Sequence, residues 1–296
     1  MIRRKRTRYT DLDYEKLQKR VEESELTLNE IEKIIDATTN SIYETKTITA
    51  GPIREVEICP IFLKKDIPDE LRLKRTKEAQ KNLNNKNAVK YFVRKSNSNF
   101  GEGDYYITLV YLNKYIPKNY DEARKHVRNY IRKLNRIYKK QQVQNGIPEK
   151  KCKNIKYMFV TEISQEGKGR YHHHILMNSV LSMETVEDAW EYGRRNNIRK
   201  IYPDDLHITG LAKYLSKDPK GKKRWGCSKN LKEPILTRSV SKFSKKKIND
   251  MSKYQDLIEH EMEKVNPGYK FIDAKVFINT YNGKPYIYAR MRKIKE

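Results

Sequence analysis

The sequence predicts an α+β fold: a central antiparallel β-sheet with flanking helices and a helical N-terminal extension. Three observations predict it. Two strand-length runs within Ile155–Met177, IKYMFVTEISQEGKGRYHHHILM, alternate with a period of two on either side of a Gly-bearing turn. A further run, DYYITLVY over Asp104–Tyr111, mixes aromatic and β-branched residues in the manner of an interior strand. The most regular helical stripe of the chain follows Asn119, with Ala123, Val127, Tyr130, Ile131, Leu134, Ile137 and Tyr138 on one face and basic residues on the other.

Taken in order, the 296 residues carry 64 Lys+Arg against 38 Asp+Glu, a formal charge of +26. That balance points to a polyanionic partner. Charged residues make up 34% of the chain, above the roughly 25% of ordinary domains, so the apolar core is modest and is supplemented by 21 tyrosines, which both pack and stack on bases. No run approaches the ~20 apolar residues of a membrane span, so no membrane partner is expected. The basic start, MIRRKRTRYT, leads into no apolar segment, and Cys59, Cys152 and Cys227 stand singly, which together suggest a reducing bacterial cytoplasm.

Leu12, Leu17 and Val21, then Leu28, Ile31, Ile34 and Ile35, fit two short amphipathic helices, the second opened by Thr27. They belong to a basic extension over residues 1–80, which also holds a strand near Ile53–Phe62. The Lys/Asn-rich stretch before Ser96 interleaves basic residues with Tyr91 and Phe92, as a phosphate-contacting or merely solvated helix face would. Beyond the paired strands, Ser182 caps a helix through Val186, Ala189 and Trp190 that Gly193 ends. Leu211, Tyr214 and Leu215 share a face of the next helix, which stops at Asp218-Pro219. A basic-then-acidic helix over Lys245–Val265 and a hairpin turning at Asn282-Gly283 complete a C-terminal segment, 236–296, that adds strands to the central domain of 81–235 or caps it.

Within the paired strands, side chains two apart share a face, so His172 and His174 point the same way and His173 the other. A hairpin closing over Ser164–Arg170 brings Glu162 alongside them. Two imidazoles and a carboxylate make a divalent-metal site with open positions. Spacing alone leaves this reading open beside that of hydrogen-bonded structural histidines, and the scattered cysteines speak against zinc.

The segment GRYHHHILMN, with Glu162 eight residues before its Arg, resembles the His-hydrophobic-His motif of HUH endonucleases, the rolling-circle replication initiators of phages and plasmids. AKYLSK, Ala212–Lys217, is similar to the AKY-x-x-K form of that family's catalytic helix. DYYITLVY resembles its first, hydrophobic motif, with Val110 where a Thr is usual. The likeness spans Lys81 to Pro234. It implies an HUH-like sheet, Glu162, His172 and His174 as ligands of Mn²⁺ or Mg²⁺, an apolar-type role for His173 that makes it dispensable, Tyr214 as nucleophile and Lys217 as its assistant. Gly210 stands where two-tyrosine members carry a second Tyr, so the resemblance implies a single-tyrosine enzyme, with Tyr202 one candidate for resolving the product.

The reading is therefore a metal-dependent, sequence-specific nickase of origin or single-stranded DNA that forms a 5′-phosphotyrosyl intermediate and works with host helicase and polymerase. The alternatives are a transposase of the same catalytic class and a non-catalytic nucleic-acid-binding protein. The latter accounts for the charge and the tyrosines but has no need of Glu162, His172, His174 and Tyr214 together.

Overall fold

The computed structural model describes residues 42–61, 77–163, 170–193, 197–216, 225–279 and 284–294. The expected helices over 11–37, the Asn282-Gly283 turn, Lys217 and the Asp218-Pro219 stop lie outside them. The chain divides into two compact units, one made of residues up to Asn87 together with those from Pro234 onward, the other running from Ala88 to Glu233. Both are antiparallel five-stranded sheets flanked by helices, so the α+β class holds.

In the first unit, β1 (Ile42–Ala50), β2 (Ile53–Ile61), β8 (Ile235–Ser239), β9 (Tyr269–Asn279) and β10 (Lys284–Lys293) are ordered β8-β1-β2-β10-β9. The C-terminal hairpin thus joins β1 and β2 in a sheet distinct from the one that carries the histidines. One face buries Val56, Ile58, Ile287, Ala289 and Met291 against Ile248 and Met251 of α5 (Lys245–Lys253) and Ile258 and Met262 of α6 (Leu257–Val265). The sequence reads as one helix over Lys245–Val265, but the structure has two, interrupted at Tyr254-Gln255-Asp256. Splitting lets each short amphipathic piece turn its own stripe onto the sheet.

The second unit is ordered β6-β3-β5-β4-β7, with β3 at Tyr105–Leu109, β4 at Tyr157–Ile163, β5 at Tyr171–Met177, β6 at Asn197–Lys200 and β7 at Gly226–Cys227. The register sets Glu162 opposite His172, Val160 opposite His174, and His174 opposite Thr108. Because side chains alternate, this sheet has two distinct faces.

One face carries Ile107, Leu109, Phe159, Ile175 and Met177 and is covered by α2 (Tyr120–Gln144) and α3 (Met183–Asp188). Asn119 caps α2 by accepting from the Glu122 amide, and the expected stripe of Ala123, Val127, Tyr130, Ile131 and Leu134 is buried. Ser182 caps α3 as expected, but the helix ends at Asp188. Gly193 does not end it; a Cβ there would overlap the Val110 carbonyl oxygen, so glycine permits a close backbone approach.

The other face carries Met158, Val160 and Leu176 and is covered by Phe92 and Val93 of α1 (Lys77–Asn97) and by Ile208, Ala212 and Leu215 of α4 and its leading residue, α4 spanning Thr209–Leu215. This corrects the sequence reading of α4. Its buried stripe is Ile208, Ala212 and Leu215, while Tyr214, expected beside Leu211 and Leu215, is 49% exposed.

Candidate metal and tyrosine site

Glu162 on β4 and His172 and His174 on β5 all project from the sheet face that α4 covers. Their ligand atoms lie within 4.8 Å of one another. Glu162 Oε2 is 3.4 Å from His172 Nε2 and 3.9 Å from His174 Nε2. Two ligands at right angles, each about 2.1 Å from a common ion, lie about 3 Å apart, so small side-chain adjustments suffice to close the three on one cation.

The far side of each imidazole supports that use. His174 Nδ1 lies 3.0 Å from the Tyr106 hydroxyl and 3.2 Å from Thr108 Oγ1, both on β3. His172 Nδ1 lies 3.5 Å from the Arg170 carbonyl, which can only accept. A proton held on each Nδ1 satisfies these oxygens and turns the Nε2 lone pairs toward Glu162. Tyr106 also stacks on His174 at 5.8 Å between centroids. Burial, the main cause, raises the Tyr106 phenol, which the Thr108 hydrogen bond partly opposes, so it stays a neutral hydroxyl. Neither Tyr106 nor Thr108 was singled out from sequence, although the alternation of β3 puts both on the ligand face.

Tyr214 reaches the cluster from above: its ring centroid is 6.0 Å from that of His174, at 67°. Two contacts fix the start of its helix. Asn97, at the end of α1, donates to Thr209 Oγ1 at 2.8 Å in a buried position. His207 holds φ at +60°, with Nε2 2.8 Å from the Phe100 carbonyl. A left-handed residue without glycine is uncommon and persists only where its surroundings fix it.

His173 is not the dispensable position that the motif implies. It is fully buried on the opposite face, with Nε2 2.8 Å from the Tyr111 hydroxyl and Nδ1 2.9 Å from Thr161 Oγ1. Burial, helped by the neighbouring histidines, pushes its pKa down to about 3, so it is neutral and structural. Tyr202 is 79% exposed. Among the described residues, no helix is long and apolar enough to cross a membrane.

An antiparallel sheet bearing a two-histidine, one-carboxylate cluster beneath a tyrosine defines a candidate metal-dependent enzyme. More narrowly, residues 104–219 match the model of a family of replication-associated proteins, the ORF2 type. That span runs from β3 past α4, so it contains Glu162, His172, His174 and Tyr214, and it fits a role in DNA replication. No curated protein matches the chain.

Proposed function

We propose that this protein nicks single-stranded DNA at a replication origin through a tyrosine nucleophile, starting rolling-circle replication. The observation that carries the proposal is the placement of Tyr214 against His174, on the sheet face where Glu162, His172 and His174 converge. The three ligands would hold Mn²⁺ or Mg²⁺, and a bound cation of this kind supplies Lewis-acid charge at a phosphate oxygen. The open sides of the cluster leave room for a scissile phosphodiester.

Tyr214 Oη attacks the phosphorus, the phenolic proton is lost, and the bond to the 3′ oxygen breaks. The products are a 5′-phosphotyrosyl link and a 3′ hydroxyl able to prime synthesis. A phenol is almost wholly protonated at neutral pH, so this step needs positive charge near the developing phenolate. Lys217, three residues on, is proposed for that role. The phosphotyrosyl bond keeps the energy for rejoining, and Gly210 offers no second phenol one turn earlier, which favours sequential use of Tyr214 or participation of another tyrosine such as the exposed Tyr202. Host helicase and polymerase would then extend from the 3′ end.

The test is incubation of the full chain with end-labelled origin-strand DNA and Mn²⁺, reading cleavage and protein-linked label. Tyr214→Phe is expected to bind Mn²⁺ normally and form no adduct. His174→Ala is expected to lose Mn²⁺ binding and cleavage together. An adduct formed by the Phe variant would place the nucleophile elsewhere.

A further inference from the structure

We propose that Arg54 and Lys242, in the first unit, form an oxyanion site that takes a phosphate group, either of a nucleic-acid strand or of free phosphate. The two side chains converge on one fully buried amide: Lys242 Nζ donates to Asn266 Oδ1 at 2.9 Å, and an Arg54 guanidinium nitrogen lies 3.5 Å from the same oxygen. Their remaining partners are also neutral. Lys242 Nζ is 3.2 Å from Thr47 Oγ1, Arg54 Nε is 3.3 Å from Thr49 Oγ1, and the guanidinium carbon sits 3.6 Å over the Tyr269 ring.

Both cations are half-buried, and among the described residues neither makes an ion pair. Elsewhere in the unit the same chain supplies carboxylates to its buried cations: Lys46 meets Glu57, Arg238 meets Glu44, and Arg290 meets Asp273. A pair of like charges withdrawn from water without a counter-charge is costly, and the cost falls when an anion joins them. Burial, and then the nearby Arg54, lower the Lys242 pKa, as expected where two cations face each other.

The donor set identifies the chemistry. A planar guanidinium and an ammonium, flanked by Thr hydroxyls, match a tetrahedral oxyanion with several acceptor oxygens. Tyr269 beneath Arg54 fixes the plane of the guanidinium and offers an aromatic face at the edge of the site. This site lies outside the residues that match the replication family and involves none of the metal ligands.

The test uses the full chain and inorganic phosphate. Phosphate titrated into isotopically labelled protein is expected to shift the side-chain signals of Arg54 Nε and Asn266 Nδ2, whereas chloride at equal ionic strength leaves them in place. Lys242→Gln is expected to abolish the response and Lys242→Arg, which keeps the charge, to retain it. Absence of a wild-type shift overturns the site whatever else is seen, and needs no variant to fold. A short labelled oligothymidylate separates the sources. If its affinity falls about tenfold in Lys242→Gln, the size expected for one charge-assisted contact, the natural ligand is a strand phosphate. If affinity is unchanged while the phosphate response is lost, the site serves free phosphate. Neither readout involves metal or cleavage, so the result is independent of the nicking proposal.

Discussion

At the scale of single residues, the sheet divides three consecutive histidines by a rule of two. His172 and His174 face the carboxylate, whereas His173 joins Tyr111 and Thr161 in the core on the opposite side. Removing that shared imidazole leaves two buried hydroxyls and a void, which costs about 2–4 kcal/mol. His173→Ala should therefore melt well below the wild type while its Mn²⁺ affinity, read by calorimetry on folded protein at low temperature, stays within a few-fold. Tyr106 and Thr108 act on the cluster through His174 Nδ1, holding the ring's orientation and tautomer. Outer partners of metal-bound histidines commonly affect affinity by about 10–100-fold. The Tyr106→Phe, Thr108→Val double variant is expected to weaken Mn²⁺ binding within that range without a matching loss of stability, and unchanged affinity would show that these hydroxyls only fill space.

At the scale of elements, the metal strands and the tyrosine helix are joined by a few buried polar contacts, of which Asn97 to Thr209 is the shortest route from α1 to α4. Asn97→Ala leaves the Thr209 hydroxyl buried without that donor, a cost of about 1–3 kcal/mol. The expected result is less covalent adduct per enzyme at normal Mn²⁺ affinity, because the helix carrying Tyr214 shifts while the β4-β5 ligands stay in register; equal losses of both would argue against separate anchoring. The strands and α2 were legible in the sequence because period-two alternation and the Asn119 cap are local signals. The burial of α4 was not: seven residues with apolar groups at 208, 211, 212 and 215 fit more than one stripe, and only packing against Val160 and Leu176 selects Ile208, Ala212 and Leu215. Likewise nothing local in the C-terminal hairpin tells that β10 pairs with β2, more than two hundred residues earlier, or that Arg54, Lys242 and Asn266 meet.

At the scale of the whole molecule, a formal charge of +26 spread over 296 residues makes binding to a nucleic acid strongly electrostatic. Part of that charge is organised. Along α2, Arg128, Arg132 and Arg136 recur one turn apart on the exposed side, while the opposite side of the helix is buried in the sheet. Since α2 covers the face opposite Glu162, His172 and His174, this row can hold a strand's phosphates without touching the metal cluster. Each phosphate neutralised on single-stranded DNA contributes about 0.7 to the slope of log affinity against log salt. Wild-type affinity for an oligonucleotide, measured by fluorescence anisotropy across a salt series, should fall steeply. Replacing the three arginines together by alanine should flatten the slope by up to about 2, as three contacts at about 0.7 each require, with Mn²⁺ affinity unchanged. A slope that stays the same in the triple variant would mean that the strand runs elsewhere and that the row on α2 serves only to solvate the helix.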